Sequence, residues 1–193
     1  MRVSVHHEMQ KYARQYRSLG DGAIATAMRR TVNDAAHRKG KPLMVDAAMT
    51  RGQWDRKTDV RKRVKAYNAH SGGMVSKVVA TQRHYSLVDK FKARGATRAG
   101  RAFTGAAPWG KSRTYKSGFY ISSKFGNYLI PVTRVGKGRN AYKVLYGPSV
   151  PREVELELKE SGRIMAEIRD YAKVRAAHHF SYAAQVAKSR AGL

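Results

Sequence analysis

Histidines and carboxylates are the side chains here that could do acid–base or metal chemistry. The histidines include two adjacent pairs, His6-His7 and His178-His179. Neighbours along a helix point in different directions and do not address one site, so both pairs read as surface or interface residues. A metal-dependent nuclease needs carboxylates gathered over one phosphate, yet Asp34, Asp46, Asp55, Asp59 and Asp89 show no metal-ligand spacing. No HExxH, GxxxxGK[ST] or GxSxG pattern occurs. The glycines of "VGKGRN" (135–140) lack the strand-to-helix setting of a phosphate loop and read as a hairpin turn. The expectation is a non-enzyme with no catalytic residue, no cofactor and no metal site.

The charge is more informative. The chain has 39 Lys and Arg against 13 Asp and Glu, a net +26. Such an excess repels itself in a compact state and attracts phosphate or acidic protein. It is also unevenly placed: between Asp89 and Glu153 there are 14 basic residues and no acidic one. The residues expected to face a DNA channel or a partner are Arg61, Lys62, Arg63, Lys65, Lys90, Lys92, Arg94, Arg98, Arg101, Lys111, Arg113, Lys116, Lys137, Arg139 and Lys143. No zinc-finger, basic-zipper or RNP-type signature accompanies them, so the signal is charge neutralisation rather than base readout. Aromatics interleaved with basics in "WGKSRTYKSGFY" (109–120) could stack on bases, but on a half-buried sheet they belong to the core.

At 193 residues and 42% hydrophobic content, a single folded domain is expected. Without cysteine there is no disulfide, thiolate zinc site or thiol nucleophile. The opening "MRVSVHHEMQKYARQY" is amphipathic and lacks the apolar region of a secretory signal. No apolar run reaches the roughly 18 residues of a membrane span, so a soluble protein is expected.

These residues must be positioned by recognisable elements. Val5, Met9, Tyr12, Ala13 and Tyr16 recur at helical spacing, and after "SLGDG" a second helix carries Ile24, Met28, Val32 and Ala35. Asp21 is expected to cap it, and Gly40 and Pro42 to end or bend it. Thr58 or Asp59 would cap a short basic helix holding Arg61, Lys62, Arg63 and Lys65. "MVSKVVATQ", "HYSLVDKF", "SGFYISS", "NYLIPVTR" and "AYKVLYG" read as strands, the last three joined by turns at "KFGN" and "VGKGRN". A closing helix starts at Pro151, with Glu153, Glu155 and Glu157 near its first turn. Its apolar stripe runs through Ile164, Ile168, Tyr171, Ala172, Ala176, Phe180, Ala183 and Val186. The outline is α+β: N-terminal helices (1–56), a basic helix and first strands (57–92), an extended basic loop (93–115), β-hairpins (116–148) and a long C-terminal helix (149–193).

Three segments in this order carry a family resemblance. They are "AIATAMRRTVNDAA" (23–36), "VRKRVKAY" (60–67) and "AYKVLYGPSVPREVE" (141–155), with the aromatic "SGFYIS" between the last two. Together, over roughly residues 20–160, the chain resembles the minor tail protein Z, or tail completion, family of lambda-like tailed bacteriophages. The resemblance implies a structural protein of the virion, assembled in the bacterial cytoplasm, acting where the tail ends and meets the head. Implied partners are further copies of the chain in a ring (six-fold favoured over twelve-fold), tail tube or tail terminator proteins, head–tail connector proteins and packaged double-stranded DNA. No membrane is involved. Gly147, Pro148 and Pro151 would form a rigid corner between sheet and closing helix. A ring of such basic chains exceeds the charge of the duplex it encloses, about one phosphate per 1.7 Å, so only the stretch from Lys90 to Lys143 is expected to face the channel. The alternative is a free nucleic-acid-binding protein without sequence preference.

Overall fold

The computed structural model describes residues 20–54, 56–70, 73–81, 84–86, 94–95, 103–105, 109, 113–115, 117–122, 129–138 and 140–190. The expected first helix and the "KFGN" turn lie outside them. The described chain is α+β and divides into two compact units, each assembled from separated segments.

The first unit comprises 1–44, 64–80 and 156–193. Helix α1 (Asp21–Asp34) starts after Gly20, so Asp21 occupies the first turn, where its charge suits the helix dipole, and is not the cap. Gly40 and Pro42, expected to end or bend the helix, do not end it. Residues Ala35–Gly40 widen into a π-helical turn, and helix α2 (Lys41–Gly52) follows directly. A proline lacks its N–H and crowds the carbonyl four residues back; a widened turn just before Pro42 relieves both problems without ending the helix. Strands β1 (Val64–Tyr67) and β2 (Lys77–Ala80) form an antiparallel pair in which Val64 faces Ala80 and Tyr67 faces Lys77. Lys65 is therefore a strand residue, where continuation of the basic helix was expected.

The chain closes through helix α4 (Val150–Ser161) and helix α5 (Arg163–Arg190), two helices where one was expected. Gly162 separates them with φ +59, a left-handed conformation that glycine enters without a Cβ penalty. The predicted stripe on α5 is the core of this unit: Ile164, Ile168, Ala172, Ala176 and Phe180 are all buried. Phe180 and Ala176 pack on Ala27 of α1, with Ile24, Met28 and Ala183 around them. At the π-helical turn, Ile168 and Val78 converge on Gly40, where a methyl group would lie 3.4 Å from each.

The second unit comprises 45–63 and 81–155. Here α2 ends against Trp54, and helix α3 (Lys57–Arg63) contains Thr58 and Asp59 within its first turns. Three antiparallel sheets follow. Strand β3 (His84–Ser86) pairs with β10 (Tyr146–Ser149). Within the expected loop 93–115 there are three short strands, β4 (Arg94–Gly95), β5 (Phe103–Gly105) and β6 (Arg113–Tyr115), paired in that order. Two-residue and three-residue strands among glycines carry too little alternation to be seen in sequence. Strands β7 (Gly118–Ser122), β8 (Leu129–Arg134) and β9 (Tyr142–Val144) make the third sheet, as expected. The unit's core gathers Val45, Ala48, Trp54, Val60, Phe119, Tyr120, Val132, Val150 and Val154.

Candidate functional site

The expected basic site is only partly within the described residues. Lys90, Lys92, Arg98, Arg101, Lys111, Lys116 and Arg139 lie outside them. Arg61 and Lys62 are exposed on α3 and Arg63 is half-buried. Lys65 is exposed and belongs to the first unit. Arg94 and Arg113 occupy β4 and β6, on either side of β5, where they face Thr104 and Gly105. Lys137 and Lys143 are exposed on the β8–β9 hairpin.

That hairpin is the best-defined basic element. The turn at 135–141 closes by hydrogen bonds from Val135 N to Ala141 O (2.9 Å) and from Ala141 N to Gly138 O (3.1 Å). Its register places Thr133 against Lys143 and Arg134 against Tyr142. Arg134, which the sequence did not single out, lies over the Phe119 ring at 5.6 Å, and Tyr142 meets the same ring edge-on at 6.5 Å. Of the aromatics in "WGKSRTYKSGFY" that were expected to belong to the core, Phe119 and Tyr120 are buried but Trp109 is exposed. Burial also raises the pKa of the Tyr120 phenol, which stays protonated.

The expected corner takes a different form. Gly147 and Pro148 are buried inside β10, whose pairing with β3 is irregular between Tyr146 and Ser149. Among the described residues the glycines with positive φ are Gly20 and Gly162, so Gly147 supplies no left-handed turn. The chain passes from strand to helix at Ser149–Val150, and Pro151 lies in the helix's first turn, where its missing N–H costs nothing.

Two polar constellations were missed in the sequence. In the first unit Asp34 accepts from Arg175 Nε (2.8 Å), Arg175 Nη2 (2.7 Å) and His179 Nε2 (2.9 Å) through Oδ2, while Arg38 Nε lies 3.3 Å from Oδ1. A carboxylate only accepts, so His179 carries a proton on Nε2. Partial burial opposes the charge on Asp34, but hydrogen bonds from His179 and Arg175 outweigh it and lower the pKa. Burial lowers that of His179, against the pull of Asp34. His179 is thus a half-buried structural partner and not a surface histidine; His178 is exposed. The neighbouring polar residues of "RTVND" are also structural: Thr31 Oγ1 donates to Ala27 O (2.9 Å) and Asn33 Oδ1 accepts from Ala69 N (2.7 Å).

In the second unit, Glu153 is 2% exposed. Its Oε1 accepts from the indole N–H of Trp109 at 3.0 Å, and its Oε2 lies 3.7 Å from Arg51 Nε. Glu153 lies in the first turn of α4 as expected, and it is also buried.

Among the described residues no three His, Asp or Glu side chains are grouped to hold a metal. Asp46 is engaged by Lys57 Nζ at 2.6 Å. No described helix is long and apolar enough to cross a membrane. No family model, curated protein or solved structure matches the chain.

Proposed function

We propose that this chain is a structural, non-enzymatic protein of a tailed-phage virion, a tail-completion or neck component. It forms a ring at the head–tail junction and presents its acid-free stretch to DNA and neighbouring proteins. The observation that carries the polyanion-facing half of this reading is the charge partition: 14 basic residues and no acid between Asp89 and Glu153. Arg134, Lys137 and Lys143 stand exposed on one hairpin of that stretch. Phosphate contacts of this kind position a protein on a duplex without reading its sequence. The virion half rests on the resemblance of "AIATAMRRTVNDAA", "VRKRVKAY" and "AYKVLYGPSVPREVE" to the tail-completion family.

Quantitative mass spectrometry of density-purified particles encoding the chain tests the assignment, with portal peptides as the copy-number standard. About six copies per particle is the expected result for a closed head-to-tail ring. Absence from the particle overturns the virion role and leaves the free nucleic-acid-binding protein as the reading to pursue.

A further inference from the structure

The chain has two tryptophans, in opposite environments. Trp54 is 4% exposed in the core of the second unit, whereas Trp109 is 41% exposed. An exposed indole ordinarily keeps both rotamer freedom and a free N–H. Trp109 has neither: its N–H is spent on the buried carboxylate of Glu153 at 3.0 Å, and that bond fixes the plane of the ring. Its backbone is also held at φ +60, a left-handed conformation that a residue with a Cβ resists. Strain of this kind persists only where surrounding contacts impose it, and it clusters at binding sites.

With the N–H engaged, the exposed part of Trp109 offers a ligand only an aromatic surface. A ligand for it must therefore be flat or apolar, and the charge of the flanking sequence narrows the choice. Trp109 lies inside the stretch without acidic residues, with Lys111 and Arg113 close in sequence. A flat ring that brings negative charge with it is a nucleotide. We infer that Trp109 is a stacking platform for an unpaired base of a single-stranded nucleic acid. This inference rests on the polyanion-facing reading of residues 90–152, not on the virion role. Stacking on aromatics is tolerant of base identity, because every base has a π-face, and this agrees with a charge signal that carries no sequence code.

The test uses the full-length protein and a dye-labelled dT oligonucleotide, with binding followed by anisotropy and by intrinsic tryptophan emission. In the wild type, the oligonucleotide binds and quenches emission. Trp109→Ala weakens oligonucleotide binding about fivefold or more and leaves binding of a blunt duplex unchanged at the same salt. Trp109→Phe keeps a ring for stacking, so it binds the oligonucleotide within about threefold of wild type, and the quench disappears because only buried Trp54 remains. Circular dichroism melts of both variants show whether the fold is retained; if Trp109→Ala is unfolded, the Trp109→Phe quench alone decides. Failure of the wild type to bind the oligonucleotide, an unquenched wild type at saturation, or an equal loss on duplex and single strand overturns the inference. None of these outcomes changes the particle copy number, so the two proposals fail separately.

Discussion

Arg175 and Asp34 are 141 residues apart in the chain, and both guanidinium contacts, Nε at 2.8 Å and Nη2 at 2.7 Å, converge on one oxygen, Asp34 Oδ2. His179, one turn along α5, reaches the same atom at 2.9 Å. The interaction joins the end of α1 to the middle of α5 with side chains only about a fifth exposed, so water screens it less than a surface pair.

Removing Asp34 leaves Arg175 and His179, both partly buried, without their shared acceptor. Asp34→Ala is expected to lower unfolding free energy by about 2–3 kcal/mol, read as a lower urea midpoint. Arg175→Lys keeps the charge but loses the two-pronged contact, at a cost of about 1 kcal/mol.

Acid should weaken the same joint in two stages. Folded His179 binds its proton less readily than the free side chain, whose ordinary value is 6.5. Its contribution is complete above that value and declines as pH falls from there through the lower folded pKa. Asp34 follows the same sign from its ordinary 3.8: its contribution is present above that and is lost as pH falls through the lower folded value. Urea midpoints should therefore fall as pH drops through the histidine range, and His179→Gln should flatten that first slope. A wild-type midpoint independent of pH across this range would contradict the account.

Two glycines should fail for different reasons. A methyl on Gly52 would overlap the Trp54 ring, which is buried and has nowhere to move. Gly52→Ala is expected to cost about 2–3 kcal/mol, with red-shifted Trp54 emission. Gly162 has open space around it, and its φ of +59 is the whole difficulty. Gly162→Ala is expected to cost about 1 kcal/mol and leave emission unchanged. Thermal unfolding with fluorescence separates the two.

If the β8–β9 hairpin neutralises phosphates, Lys137→Gln with Lys143→Gln should reduce the slope of log affinity for duplex DNA against log salt by about 2. An unchanged slope would move the DNA contact away from this hairpin.

Much of the architecture was legible because it depends on local periodicity. The α5 stripe from Ile164 to Phe180 and the strands around Phe119, Val132 and Val144 occupy their predicted places. The β1 segment was not legible: Val64, Lys65, Ala66 and Tyr67 are too few to separate period two from a helix end, and pairing with Lys77–Ala80 decides it. The helix break at Gly162 did have a signal, a glycine following a helical pattern. The buried role of Glu153 had none, since Trp109 and Arg51 are far from it in the chain.

The charge partition, the absence of cysteine and the amphipathic helices follow from composition and short-range spacing, so they are properties of the chain before it folds. Which polar side chains became structural was decided by folding. Asp34 with Arg175 and His179, and Glu153 with Trp109, are pairs of distant residues, and burial changes what they do: a carboxylate removed from water must find donors. Only tertiary contact supplies those donors, and it is the same contact that leaves the Trp109 ring held in place and open to solvent.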